Sequence, residues 1–171
     1  MLIACLSDIH DRVRNLDKAL EAIARARADV LIFCGDLNSA EMLPHMAQAV
    51  AGQIHIVAGN NDDELDIKRT IDSERLLKVY YHRLIGRLTL DKRRLAFTHK
   101  PKDAESLLEE GFDIIFYGHT HVAKIEQVGK TWVVNPGDIQ GRFGQAPSYA
   151  LYDTADGVPA LQSLEDNRTN S

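Results

Sequence analysis

The sequence predicts an α/β domain in which helices cover a sheet of buried strands. Three observations carry that prediction. Short continuous apolar runs at Leu2 to Leu6, Val30 to Cys34, Ile54 to Val57 and Ile114 to Tyr117 read as strands buried on both faces. Segments with helical spacing separate the early runs, which is the alternation of a layered α/β fold. The later half turns to hairpin signals, with paired apolar runs about Asp91-Lys92, Gly129 and Asp156-Gly157.

In chain order, Leu2 to Leu6 forms the first strand and ends in Ser7-Asp8-Ile9-His10-Asp11. Leu16, Ala19, Leu20 and Ile23 recur on one helical face, with Asn15 as the expected N-cap. Val30 to Cys34 is the second strand, ending in Gly35-Asp36-Leu37-Asn38, and a helix is expected over Ala40 to Ala49 with Pro44 near its start. Ile54 to Val57 is the third strand, ending in Ala58-Gly59-Asn60-Asn61-Asp62. Asp63 to Arg83 is charged with scattered apolar residues and carries one or two short helices. Leu84 to Leu90 and Arg94 to Thr98 make a hairpin, and the second strand ends at His99. Lys102 to Glu110 is a helix closed by Gly111. The strand Ile114 to Tyr117 runs into Gly118-His119-Thr120-His121. Ala123 to Gln127 pairs with Thr131 to Val134, Asn135-Pro136-Gly137-Asp138 turns the chain, and Tyr149 to Tyr152 pairs with Ala160 to Ser163. We expect one domain over 1–171, with 165–171 a frayed tail.

Composition narrows the function classes. The chain has 44% apolar and 26% charged residues, as in ordinary soluble proteins. Its net charge of -5 disfavours non-specific binding to long nucleic acid or an anionic membrane. A small phosphorylated substrate stays open, because bound cations invert the local field. Cys5 and Cys34 each sit in a buried strand, where a thiol acts as a small hydrophobe, and two thiols do not make a disulfide framework. Met1 leads directly into an apolar strand with no secretory signal. No apolar run nears the roughly 20 residues of a membrane span, so the expected location is the cytoplasm.

In such sheets, ligands gather beyond the carboxyl ends of strands. Five runs end there in Asp8 and His10, Asp36, Asn60, His99, and His119 with His121. This set holds carboxylates, one amide and imidazoles, without a thiolate, and suits divalent first-row metals. It exceeds the three protein ligands typical of one catalytic zinc, so two ions with a bridging carboxylate fit it better. Two ions about 3.5–4 Å apart activate water and hold phosphoryl oxygens. His45, His55 and His82 lie away from strand ends and read as structural.

Asp8-Ile9-His10, Gly35-Asp36, Gly59-Asn60 with Asp62, Thr98-His99 and Gly118-His119-Thr120-His121 together resemble the calcineurin-like metallophosphoesterases, and within them the small YfcE-like phosphodiesterase branch. Asn135-Pro136-Gly137 and the Ser148-Tyr149-Ala150 strand match that branch too. The resemblance covers almost the whole chain and implies a four-layer α-β-β-α sandwich. It implies a first metal on Asp8, His10, Asp36 and His121, and a second on Asp36, Asn60, His99 and His119, with Asp36 bridging. Asp36, Asn60 and His99 are the catalytic candidates. The implied cofactors are two divalent ions, manganese foremost, with nickel, iron, cobalt or zinc as alternatives. The implied reaction is phosphodiester hydrolysis by in-line attack of a metal-bound hydroxide on a small phosphate ester, by a protein able to form a homodimer or larger homo-oligomer.

The chain departs from the family pattern in three places. Asn61 stands where many members carry a histidine proposed as general acid, and it supplies no proton at neutral pH. Lys100-Pro101 replaces a common glycine, and Lys100 is either a phosphate contact or a solvated loop lysine. Asp138 replaces a common serine and can make the same turn hydrogen bonds. Arg142 and Arg12 are further cations for the phosphate, as guanidinium binds phosphate bidentately, and a plain surface arginine is the alternative for each. Asp62 is expected to accept from a ligand histidine. The rival functions are a non-catalytic protein-binding scaffold, like the phosphoesterase-fold subunit of retromer, and a phosphomonoesterase or nucleotidase on the same site. Scaffold relatives tend to lose ligands, whereas here every ligand position is filled.

Overall fold

The computed structural model describes residues 1–10 and 13–165, so Arg12 and the tail beyond 165 lie outside the described residues. Two sheets stack face to face. The first has the order β11-β10-β1-β2-β3-β4, from Pro159–Ser163, Ser148–Asp153, Leu2–Leu6, Val30–Phe33, Gln53–Ile56 and Val79–Tyr81. The second has the order β5-β6-β7-β9-β8, from Ile85–Leu90, Arg93–Thr98, Ile114–Phe116, Thr131–Asn135 and Lys124–Val128. Helices α1 (Val13–Ala26), α2 (Met42–Ala49) and α3 (Glu64–Ser73) lie on the first sheet, and α4 (Pro101–Ser106) lies on the second.

The continuous apolar strands explain this layering. In β1 and β2, Ala4, Leu6, Leu31 and Phe33 face Leu16, Leu20, Ile23, Leu43 and Met46 of the helices. The alternate residues Ile3, Cys5, Val30 and Ile32 face Leu95, Phe97, Ile114, Phe116 and Val134 of the second sheet. On the far side, Ala96 and Ile115 pack on Ala104, Leu107 and Phe112. Each central strand is therefore covered on both faces, as its composition requires. The result is the four-layer α-β-β-α sandwich.

Strand direction positions the site. β1, β2 and β3 run parallel, with Leu6 beside Phe33 and Phe33 beside Ile56. β6, β7 and β9 run parallel in the second sheet. The loops after β1, β2, β3, β6 and β7 carry the candidate ligands. The backbone ties neighbouring loops together: Asp8 N–H donates to the Gly35 carbonyl at 3.0 Å, and Gly118 N–H donates to the His99 carbonyl at 3.0 Å.

Some sequence expectations change and others hold. Asn15 does not cap α1, which begins at Val13; its side-chain amide instead donates to the Ile139 carbonyl at 2.6 Å. The stretch Asp63 to Arg83 carries one helix, capped by Asp63 accepting from the Leu65 and Asp66 amides, followed by the edge strand β4. The helix expected over Lys102 to Glu110 is split into α4 and a 3-10 turn at Leu108–Glu110, closed by left-handed Gly111. The β5–β6 hairpin turns on Asp91 and Lys92, both at positive φ (48° and 68°), which suits a two-residue type I′ turn. Cys5 and Cys34 are fully buried free thiols with sulfurs 3.6 Å apart.

Candidate metal centre

Asp8 lies in the loop after β1 with its carboxylate fully buried. Its Oδ2 accepts from the Ser7 hydroxyl at 2.6 Å and from the His119 amide at 3.0 Å. Its Oδ1 is buried without a hydrogen-bond partner, as is His10 Nε2, 3.7 Å away. His121 Nε2 lies 3.6 Å from the same Oδ1. Burial pushes the Asp8 carboxyl above the usual carboxylate range, against the lowering effect of the Ser7 hydroxyl, His99 and His121.

Asp36 follows β2. Its Oδ2 lies 3.7 Å from His10 Nε2, and its Oδ1 lies 3.6 Å from His99 Nε2. One carboxylate therefore faces two different histidines with its two oxygens. Asn61 fixes that orientation, its backbone N–H donating to Oδ1 at 2.9 Å and its side-chain amide to Oδ2 at 2.7 Å. Close approach is required here, since a Cβ on Gly59 would lie 2.1 Å from Asp36 Oδ1. Beyond Asp36, the Asn60 side-chain oxygen lies 3.0 Å from His99 Nε2 and 2.9 Å from His119 Nδ1, and those two nitrogens are 3.1 Å apart.

The outer nitrogens of three rings are engaged. His10 Nδ1 is 3.2 Å from Asn38 Oδ1, His99 Nδ1 is 2.8 Å from the Cys34 carbonyl, and His121 Nδ1 is 2.8 Å from Asp138 Oδ2. Each acceptor draws the ring proton to Nδ1 and leaves the Nε2 lone pair facing inward. Ring nitrogens and carboxylate oxygens thus converge on one space, which is the donor set a cation needs. Asp8, His10 and His121 bring donor atoms within 4.8 Å of one another, as do Asp8, Asp36 and His99. The backbone reinforces the picture. Asp8, His10, Asp36, His119 and His121 have φ of 57°, 45°, 62°, 68° and 60°, a left-handed conformation that is rare outside glycine and concentrated at functional sites. The residues fit divalent metal ions.

All seven sequence-predicted ligands come together. The two phosphate candidates differ. Lys100 is exposed at the N-cap position of α4. Arg142 is exposed in a short turn, its Nε donating to Gln140 Oε1 at 2.8 Å. Asp62 is not the partner of a histidine. Its carboxylate accepts from the backbone amides of Asp36 (2.8 Å), Asn38 (3.0 Å) and Gly59 (2.8 Å), binding two ligand loops to each other. Asp138 takes the histidine instead, while its Oδ1 accepts from the Gln140, Gly141 and Arg142 amides as the expected turn acceptor. Sequence reasoning missed Asn38 and Ser7; their only signal was a place beside Asp36 and Asp8.

His45, His55 and His82 lie apart from the cluster. His45 pairs with Asp17, and His55 with His82 between β3 and β4.

Comparison with known proteins places this geometry. The family model for the calcineurin-like phosphoesterase superfamily domain matches residues 1–157. Phosphodiesterase MJ0936 of Methanocaldococcus jannaschii is 26% identical over 160 residues, spanning 90% of this chain and 93% of that protein. Phosphodiesterase YfcE of Escherichia coli K12 is 28% identical over 170 residues, spanning 90% and 88%. Among solved structures, a novel archaeal phosphodiesterase superposes with a TM-score of 0.85 at 26% identity, covering 95% of this chain and 99% of that one. Wild-type Vps29 of Entamoeba histolytica, complexed with zinc, superposes with a TM-score of 0.67 at 17% identity over 96% and 100%, a likeness of fold.

Proposed function

Since the chain belongs to the calcineurin-like phosphoesterase superfamily, we propose that it is a dinuclear-metal phosphodiesterase acting on a small phosphate ester in the cytoplasm. The observation that carries this reading is the Asp36 carboxylate, whose two oxygens face His10 and His99 separately. In this reading Asp8, His10, Asp36 and His121 hold one ion. Asp36, Asn60, His99 and His119 hold the other. When bound, such ions lower the pKa of a water and neutralise charge developing on the phosphoryl group.

The remaining chemistry belongs to the protein. Asn61 clamps Asp36 so that each oxygen keeps its own cluster. The Cys34 carbonyl and Asp138 hold the His99 and His121 rings in the tautomer that ligation needs. The Asn60 side-chain oxygen serves the metal and leaves its amide N–H groups for a substrate oxygen. Arg142 supplies positive charge at the rim. Asn61 cannot protonate a leaving group, so diesters with good leaving groups are favoured over alkyl monoesters.

Metal-stripped protein reloaded singly with Mn, Ni, Co, Zn or Mg and assayed on bis(p-nitrophenyl) phosphate and p-nitrophenyl phosphate tests the reading. We expect two ions per chain and faster diester turnover. Asp36→Asn should lower metal affinity and turnover together, turnover by about 100-fold or more; a fully active variant overturns the assignment. The scaffold reading draws support from the likeness to Vps29. Metal binding alone does not separate the two, because that protein was crystallised with zinc. Turnover does: two bound ions with no hydrolysis of either ester would favour the scaffold.

A further inference from the structure

Phe143 is a large apolar residue left on the surface. It is 75% exposed and sits at φ 54°, ψ 29°, a conformation bulky side chains rarely adopt. Its ring centroid lies 5.9 Å from that of His121, with the planes at 68°. The His121 ring in turn stacks on His10 at 5.1 Å. A line of three rings therefore runs from the candidate ligand cluster to solvent, and Phe143 is its outer end.

The loop beneath Phe143 is fastened to the site. Asp138 accepts from the Gln140, Gly141 and Arg142 amides through Oδ1 and binds His121 through Oδ2. The Gln140 side-chain amide donates to the carbonyls of Ile9 at 3.0 Å and His10 at 3.4 Å, and its oxygen accepts from Arg142. The residues that orient the candidate ligands thus also present an unburied aromatic face beside them. Exposure of that face gives the fold no burial energy, and the backbone is strained to achieve it. A ligand aromatic ring would use both.

We propose that Phe143 is a specificity residue that stacks a flat aromatic group, aryl or nucleobase, on the phosphate ester whose phosphorus is held by the metal cluster. This inference rests on the phosphodiesterase reading. Ring stacking is sequence-tolerant and discriminates flat groups from alkyl ones by about tenfold. Arg142, adjacent in the chain and exposed, adds positive charge to the same loop.

Calorimetric titration of the manganese-loaded full chain with phenylphosphonate and with methylphosphonate tests the proposal without turnover. Wild type should bind the phenyl compound about tenfold more tightly. Phe143→Ala should erase that preference and Phe143→Trp should keep it, with manganese affinity unchanged in both. A preference that survives in Phe143→Ala, or that wild type never shows, overturns the proposal: Phe143 would then be a solvated loop residue only. The same titration with a non-hydrolysable thymidine 5′-phosphonate separates the aromatic sources. The phenyl-to-methyl and thymidine-to-methyl ratios of affinity should each fall about tenfold in Phe143→Ala; a fall in only one names the aryl or the nucleobase as the recognised group, and a fall in neither overturns the proposal. A Phe143-dependent phenyl preference without hydrolysis of any ester would sink the phosphodiesterase reading while leaving the stacking platform standing.

Discussion

The strongest residue-scale feature is where the chain tolerates strain. Each left-handed non-glycine residue costs about 1 kcal/mol, and five candidate ligands share that state. Hydrogen bonds to nearby backbone offset part of this cost, and Asp62 is central among them. Removing its carboxylate strands the Asp36, Asn38 and Gly59 amides. Asp62→Ala should therefore destabilise the metal-free protein by about 2–3 kcal/mol in urea unfolding; an unchanged midpoint would show that solvent replaces the carboxylate. The candidate ligands were legible in the sequence, because each stands where an apolar run stops. The partners were not. Asp62 reaches across 26 positions to the Asp36 amide, and only the folded loops reveal whether an aspartate meets a ring or a backbone. Asp138 was read as a turn residue, and the second use of its carboxylate depends on how His121 enters from another loop.

At the scale of elements, the edge formed by β3 and β4 carries a pH sensitivity of its own. His55 is buried, stacked on Tyr80 at 4.9 Å and bonded to His82 at 3.0 Å. Burial, with the charge of His82 second, lowers its pKa to about 4, and burial lowers His82 as well. The folded state thus binds fewer protons than the unfolded chain between about 6.5 and 4. Stability is full above about pH 6.5 and is lost as pH falls toward 4. His55→Gln should flatten that loss, visible as a smaller drop in thermal midpoint between pH 7 and 4.5 than wild type shows. Equal slopes would place the acid sensitivity elsewhere. β4 itself escaped sequence reading because only Val79 of its three residues is buried; pairing with β3 makes it a strand, and local pattern does not. α4 was overextended because its apolar residues Leu107 and Leu108 continue the helical spacing, although the backbone tightens there into a 3-10 turn.

Over the whole molecule, the candidate ligands belong to two different sheets. Asp8, Asp36 and Asn60 follow strands of the first sheet, and His99, His119 and His121 follow strands of the second. Ions shared by these residues would fasten the open ends of the sheets together, so binding should stabilise the entire fold. At a free metal concentration 1,000 times Kd, linkage gives about 4 kcal/mol. For a chain of this length that is a rise of roughly 8–16 °C in Tm, reversed by EDTA. A Tm indifferent to manganese and chelator would contradict the dinuclear reading. The layered class was legible from the alternation of buried strands with helices. Which sheet each strand joins was not, since β7 reads as buried just as β1 to β3 do, and only the pairing separates it from them.

The left-handed histidines also bear on how this protein evolves. His119 is exposed at φ 68°, a backbone state that glycine enters without steric strain. Selection for cellular abundance alone would favour glycine there, and selection for turnover would reject it. A mutational scan scored both ways should show opposite signs at position 119, so an accumulated glycine would mark a lineage that kept the fold after setting the chemistry aside.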